Sequence, residues 1–346
     1  MSQPAILPRG KLIVLACGGT GINIMTGSTG QKIKELTEKS ASIASIKLIC
    51  FDTSRVTIDS KPKIYDAFFK IEDESSSGKG IQGSGQERRT NAKPISRYVT
   101  DWAATNITPD KVDEFYLIVT SGSGGTGSVI AHMLTSELIA RNRPVAVIVV
   151  GDTADHARAV NTYNTMLGLA KKAVMTQPLG VFYVDNKSGE KHANDVIEKF
   201  IISMLTLVSG QHHDLDFQDM RMLFRPSEIK SLPLPNGLYL IVLYNPNEKS
   251  PYAGSQIIMV RGLIDPAATK IDITTVSTKI GRYKNIDDGA PDTLLALING
   301  APAAIIDDLE KIVSEYDSRL KEIAITHSIS SNREHQLEAD ETGLQL

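Results

Sequence analysis

Cysteine is almost missing from this sequence: Cys17 and Cys50 are the only two in 346 residues. Each closes an apolar run, which predicts reduced thiols in a cytosol and excludes both a disulfide framework and a cysteine-type metal site. Histidine is sparse as well, with seven residues. The adjacent pair His212 and His213 lacks the i, i+4 spacing that puts two imidazoles on one helix face, so solvated loop histidines are expected rather than a zinc site. Excess positive charge is lacking too, since the formal net charge is -3, and direct nucleic-acid binding is not expected. No apolar run approaches the roughly 18 to 20 residues that a membrane-spanning helix needs. The opening "MSQPAILPRGKLIVLACGG" also lacks the order of a secretory leader. A cytoplasmic protein without a membrane partner is the expectation.

What remains is ordinary globular material, 41% hydrophobic and 22% charged, with length for two domains or one large domain with additions. Short runs rich in branched residues alternate with helical patterns through the first half. "KLIVLACGG" (11 to 19), "SIKLICFDT" (45 to 53), "FYLIVTSGS" (115 to 123), "PVAVIVVGD" (144 to 152) and "LGVFYVDN" (179 to 186) read as strands buried on both faces. That alternation predicts an α/β fold with a Rossmann-like parallel sheet, in which ligands sit beyond the carboxyl ends of the strands. Residues 73 to 91 read as a long polar loop. The segment "HANDVIEKFIISMLTLVSG" (192 to 210) is apolar nearly all round and reads as a buried central helix stopped by Gly210. Strands such as "GLYLIVLYN" (237 to 245), "SQIIMVRGLI" (255 to 264), "KIDITTVST" (270 to 278) and "DTLLALING" (292 to 300) suggest a second, smaller α/β domain. An amphipathic helix from Pro302 is expected to end near His327. A mobile acidic tail is expected behind it, because that stretch has little to bury. The expected units are thus 1 to 188, 189 to 212, 213 to 301, 302 to 327 and 328 to 346.

Two glycine-rich turns stand between a strand and a helix: "CGGTGINI" (17 to 24) and "SGSGGTGSV" (121 to 129). A third glycine-rich stretch, "GKGIQGSGQ" (78 to 86), lies between them. Backbone N–H groups at a helix start, unshielded by Cβ atoms and aided by the helix dipole, form an anion site. Taken singly, such a turn is as readily a plain connector. Three together suggest a polyphosphate. The pattern G-x-x-x-x-G-K-[ST] is absent, because Gly78-Lys79 is followed by Gly80 and position 73 is Asp. G-x-G-x-x-G is missing from the first turn, whose glycines are 18, 19 and 21. That weakens a dinucleotide-dependent oxidoreductase, in which Asp52 would bind a ribose.

These residues resemble the tubulin and FtsZ superfamily. "SGGTGSV" (123 to 129) is similar to the signature GGGTGSG, departing at Ser123 and Val129. "ANDV" (193 to 196) and "LDFQDMR" (215 to 221) resemble the start of the central helix and the acidic loop of FtsZ. The likeness runs in register from about residue 11 to about 225. Within the superfamily the phage tubulins of the PhuZ type look most similar, on "CFDT" (50 to 53), the K-G-x-x-G-x-G spacing from Lys79 to Gly85, and the acidic tail. A division or DNA-segregation tubulin of the FtsZ or TubZ type is the alternative.

The resemblance implies a GTPase that binds GTP and GDP with Mg²⁺ held through the phosphates, without a direct protein ligand assigned. It assigns Gly18, Gly19, Thr20 and Gly21, and Ser123, Gly124, Gly125, Thr126, Gly127 and Ser128, to the phosphates. Gly83, Ser84 and Gly85 would approach the γ-phosphate. Asn23, Asn194 and Asp195 would read the guanine, and Asp52 and Asp155 complete the nucleotide-binding set. Asp216 and Asp219 would be the catalytic acids, reaching the GTP of the next subunit. Without the resemblance the same two acids read as a helix N-cap and a first-turn charge. The implied partners are further copies in a head-to-tail homopolymer, with tail-mediated contacts between neighbours. Phage capsids or DNA-containing assemblies in an infected bacterium would be the cargo.

Overall fold

The structure is a computed structural model that describes residues 9–72, 92–107, 109, 111–212, 214–229, 234–246, 255–265, 275, 277–283 and 293–342. The expected loop of residues 73 to 91, with Gly83, Ser84 and Gly85, lies outside these.

Strand β1 (Lys11–Cys17) runs directly into α1 (Gly18–Thr26), followed by α2 (Ser28–Lys39), β2 (Ser45–Asp52), the single turn α3 (Val56–Asp59) and β3 (Ala67–Lys70). Next come α4 (Ala92–Asn106), β4 (Glu114–Ser121), α5 (Thr126–Ala140), β5 (Val145–Gly151), α6 (His156–Met175) and β6 (Leu179–Asp185). The central helix α7 (Glu190–Leu207) leads to the short α8 (Phe217–Phe224). Then follow β7 (Leu238–Leu243), β8 (Gln256–Ile264), β9 (Ser277–Arg282), β10 (Thr293–Asn299) and the long α9 (Ala301–Thr342). No helix among the described residues is long and apolar enough to cross a membrane.

Among the described residues ten strands form one sheet in the order β3-β2-β1-β4-β5-β6-β7-β10-β8-β9. Of these, only β10 runs against its neighbours, pairing antiparallel with β7 and β8. The expected second domain therefore continues the first sheet rather than building its own, through the parallel pairing of Leu179 to Val181 with Leu238 to Leu240.

Period-two alternation splits the core cleanly. Leu12, Val14 and Ala16 of β1 face one cluster with Met25, Ile33, Phe200, Met204 and Phe224, under α1, α2, α7 and α8. Ile13, Leu15 and Cys17 face the other, with Trp102, Ile130, Leu134, Met166 and Leu309, under α4, α5, α6 and α9. Strands buried on both faces show no polar alternation, as their sequences predict.

One expected boundary moves. Most of the strand placed at 270 to 278 lies outside the described residues; β9 pairs in parallel register with β8, Ser277 with Met259 and Arg282 with Ile264. The last helix does not end near His327 but continues to Thr342. Its apolar repeat stops early, but Glu334, Gln336, Leu337, Glu338 and Ala339 favour helix and no glycine or proline intervenes before Gly343. The end of burial and the end of the helix are separate signals.

Candidate functional site

Because β1, β2, β4, β5 and β6 are mutually parallel, the segments leaving their carboxyl ends meet along one edge of the sheet. At its centre the two glycine turns touch. Gly18 has φ +67°, and a Cβ on it would lie 2.7 Å from the Gly127 Cα; one on Gly127 would lie 2.5 Å from the Cys17 carbonyl oxygen. Gly21 is pressed as closely against β4, where a Cβ would meet the Val119 carbonyl at 2.3 Å. Only glycine lets α1 and α5 start this close together. Neither helix has a side-chain cap or an acidic residue in its first turn. Their first N–H groups are thus neither covered by a carboxylate nor opposed by one, which suits an anion at both dipole ends.

The hydroxyls divide into two roles. Thr53 Oγ1 and Thr126 Oγ1 lie 3.3 Å apart, joining the end of β2 to the start of α5. Ser128, expected to add a phosphate donor, gives its hydroxyl to the Gly124 carbonyl at 2.6 Å and is fully buried. It therefore shapes the turn, while Ser123 exchanges a hydrogen bond with Ser121 at 2.9 Å. Helix α6 braces the turn from outside: Asn161 Nδ2 donates to the Ser123 carbonyl at 3.1 Å and Thr165 Oγ1 to the Gly122 carbonyl at 2.7 Å. Thr53, Ser121, Asn161 and Thr165 were not read from the sequence. Thr53 and Ser121 are signalled only as small polar residues at the ends of apolar strands, and Asn161 and Thr165, inside α6, carry no local signal.

Asp52 is buried at the end of β2 and accepts the Thr53 N–H at 2.7 Å. Burial raises its pKa despite that bond. Asp155 is engaged elsewhere: one oxygen caps α6 through the Arg158 N–H at 2.9 Å and the other meets Arg158 Nε at 3.1 Å. Arg158 also holds Asp152 at 3.0 Å. Gly19 and Thr20 are half-buried in the first turn of α1, and Asn23 is exposed on the same helix. Asn194 is half-buried and Asp195 exposed near the start of α7, which leaves β6 at the same edge. Both cysteines are free and buried, and burial pushes the Cys17 thiol well up and that of Cys50 up to about 12.

Asp216 and Asp219 stand at the other edge. Helix α7 carries the chain across the sheet, and the Ser209 carbonyl accepts the Gly10 N–H at 3.0 Å, just before β1 begins. The ring of Phe217 packs against Phe115 at the start of β4, with centroids 6.4 Å apart. Seven residues of β1 therefore separate the glycine turns from the acidic loop, about 20 Å at strand rise. Asp216 caps α8 by accepting the Asp219 N–H at 2.8 Å, and Asp219 returns the favour to the Asp216 N–H at 3.2 Å. Both acids thus form a capping box. Each retains acceptor capacity, and both line a cleft of about 330 Å³ with His212, Asp214 and Lys279. Among the described residues no group of three or more His, Cys, Asp or Glu is arranged to hold a metal ion.

No protein-family model matches the chain. A phage tubulin-like protein of Pseudomonas phage 201phi2-1 is 26% identical over 337 residues, 96% of this chain and 96% of that protein. A protofilament of TubZ from bacteriophage PhiKZ matches with TM-score 0.72 at 20% identity, over 90% of this chain and 92% of the other. The phage tubulin PhuZ bound to GDP also matches with TM-score 0.72, at 23% identity and the same coverage.

Proposed function

We propose that this chain, which belongs to the tubulin/FtsZ superfamily, binds GTP at its glycine-lined strand ends, hydrolyses it, and polymerises head to tail into dynamic filaments. The observation that carries this reading is the separation of its two half-sites to opposite edges of one sheet. A nucleotide seated on Gly18 and Gly127 is out of reach of Asp216 and Asp219 of the same molecule. It is completed when a second copy stacks its acidic edge on the glycine edge of the first. Such a contact is heterologous and does not close, so it propagates as a filament.

In that interface the N–H groups of the first turns of α1 and α5 cradle the phosphates. Asn23, Asn194 and Asp195 read the guanine by donating and accepting at its edge. Mg²⁺ held through the phosphate oxygens would offset their charge. Asp216 and Asp219 of the neighbour orient and deprotonate the attacking water. Loss of the γ-phosphate then loosens the contact. The phage origin of the similar tubulin-like protein supports a role in an infected bacterium, with viral DNA or capsids as cargo.

The test is Asp216→Asn and Asp219→Asn, which keep the capping oxygens of α8. Each variant should still bind GTP and pellet as polymer, while phosphate release falls at least about 100-fold, the range for loss of a catalytic acid or base. Loss of GTP binding in either variant would refute the assignment of the acids.

A further inference from the structure

Resting on the GTPase reading above, we infer that Lys279 is a catalytic cation, delivered together with Asp216 and Asp219 to the terminal phosphate of the neighbouring copy's nucleotide. The cleft that holds the acids is of mixed sign. Lys279 Nζ stands 3.8 Å from Asp219 Oδ2 and lines the same cavity. With side chains 47% and 17% exposed, this pair contributes almost nothing to stability. The surroundings nevertheless fix it with care.

Arg261 is the brace. It is the lone charge in the strand "QIIMVRGLI" and is 2% exposed. Its Nε donates to the Asp219 carbonyl at 2.9 Å, and its other nitrogens donate to the Ser277 carbonyl and hydroxyl, both at 3.0 Å. One buried guanidinium therefore ties the helix that carries Asp219 to the strand that carries Lys279, two residues past Ser277. Burial lowers the Arg261 pKa to about 10 while Asp219 and Asp216 hold it up, so it stays charged at neutral pH. It is a positioning residue, since its N–H groups point into the protein and not into the cleft.

The charge balance shows why a cation belongs there. Among the charged residues described in the cleft, Asp214, Asp216 and Asp219 would otherwise present only negative charge to a triphosphate. In hydrolysis the water oxygen bonds to the γ-phosphorus, the bond from phosphorus to the β–γ bridging oxygen breaks, and its electron pair leaves with GDP. The water proton passes to a carboxylate. Lys279 forms no covalent bond and keeps its protons. Its ammonium takes up the charge that spreads over the phosphoryl oxygens, as a cation reaching in from a second molecule can.

Lys279→Ala and Lys279→Arg test this in the full-length chain, with assembly read by sedimentation and turnover by phosphate release. Lys279→Ala should pellet like the parent with a slowly hydrolysed GTP analogue, yet release phosphate about 100-fold more slowly from GTP polymer. Lys279→Arg should recover most of that loss. Release by Lys279→Ala within about twofold of the parent would overturn the inference, as would its failure to pellet with the analogue, which would make Lys279 an assembly contact. A parent that neither assembles nor releases phosphate would instead remove the GTPase reading beneath it.

Discussion

Gly18 and Gly127 are the residues on which the glycine-lined edge turns, and the reason is contact rather than flexibility in general. Alanine at Gly127 would press a methyl against the Cys17 carbonyl at 2.5 Å, and alanine at Gly18 would add left-handed strain to a 2.7 Å clash. Overpacking of that kind costs about 1–3 kcal/mol. Gly19, one residue on, has only the Thr57 hydroxyl near, at 3.6 Å. Gly127→Ala should therefore lower Tm by several degrees and weaken nucleotide binding by up to about tenfold if half that strain falls on the bound state, whereas Gly19→Ala leaves Tm unchanged. Thermal unfolding with and without GDP would read both. The motif spelling singled out all three glycines alike. Which of them is sterically obligatory depends on which backbone crosses which, and that is a tertiary fact.

Helix α9 joins two stretches held in different ways. Ile305 and Leu309 are buried against the body, Tyr316 Oη donates to the Thr153 carbonyl at 3.0 Å, and His156 Nε2 meets Asp317 Oδ1 at 2.8 Å. Past that point Leu320 and Ile323 are already half exposed. Truncation after Asn332 should therefore leave Tm unchanged. On the proposal that the acidic end contacts a neighbouring copy, the same truncation should reduce the fraction pelleted with GTP. Unchanged sedimentation would make the segment a solubilising extension only. The anchoring half was legible in the repeat of Ile305, Leu309, Ile312 and Tyr316. The helical continuation was not, because amphipathicity reports burial and says nothing about a helix that runs on without it.

On the proposal that the two ends of the molecule carry complementary halves of a site, turnover should depend on how many molecules meet. Phosphate release per chain is expected to be near zero at low protein concentration and to rise steeply once polymer forms. A site complete within one chain would instead turn over at the same rate per molecule at every concentration. Measuring phosphate release across a dilution series beside light scattering distinguishes the two. One continuous sheet, with strands paired from β3 to β9, carries both edges.

Local pattern alone determined the parallel strands, the buried central helix and the glycine turns, because double-faced burial, all-round apolarity and missing Cβ atoms are written in short stretches of chain. The pair Asp216 and Asp219 was equally visible as a cap, its catalytic reading coming from the family resemblance alone, and the structure shows the cap in full. Tertiary structure decided what depends on distant segments meeting. It seats α1 on α5 through Gly18 and Gly127, turns the Ser128 hydroxyl inward, and uses Asp155 as a cap. It also brings Lys279 to Asp219 from 60 residues further along the chain, through a buried arginine that the sequence displays only as one charge in an apolar strand. Chemistry of that kind belongs to the sheet order, which places β9 beside β8 and α8 beneath it, and no local pattern encodes it.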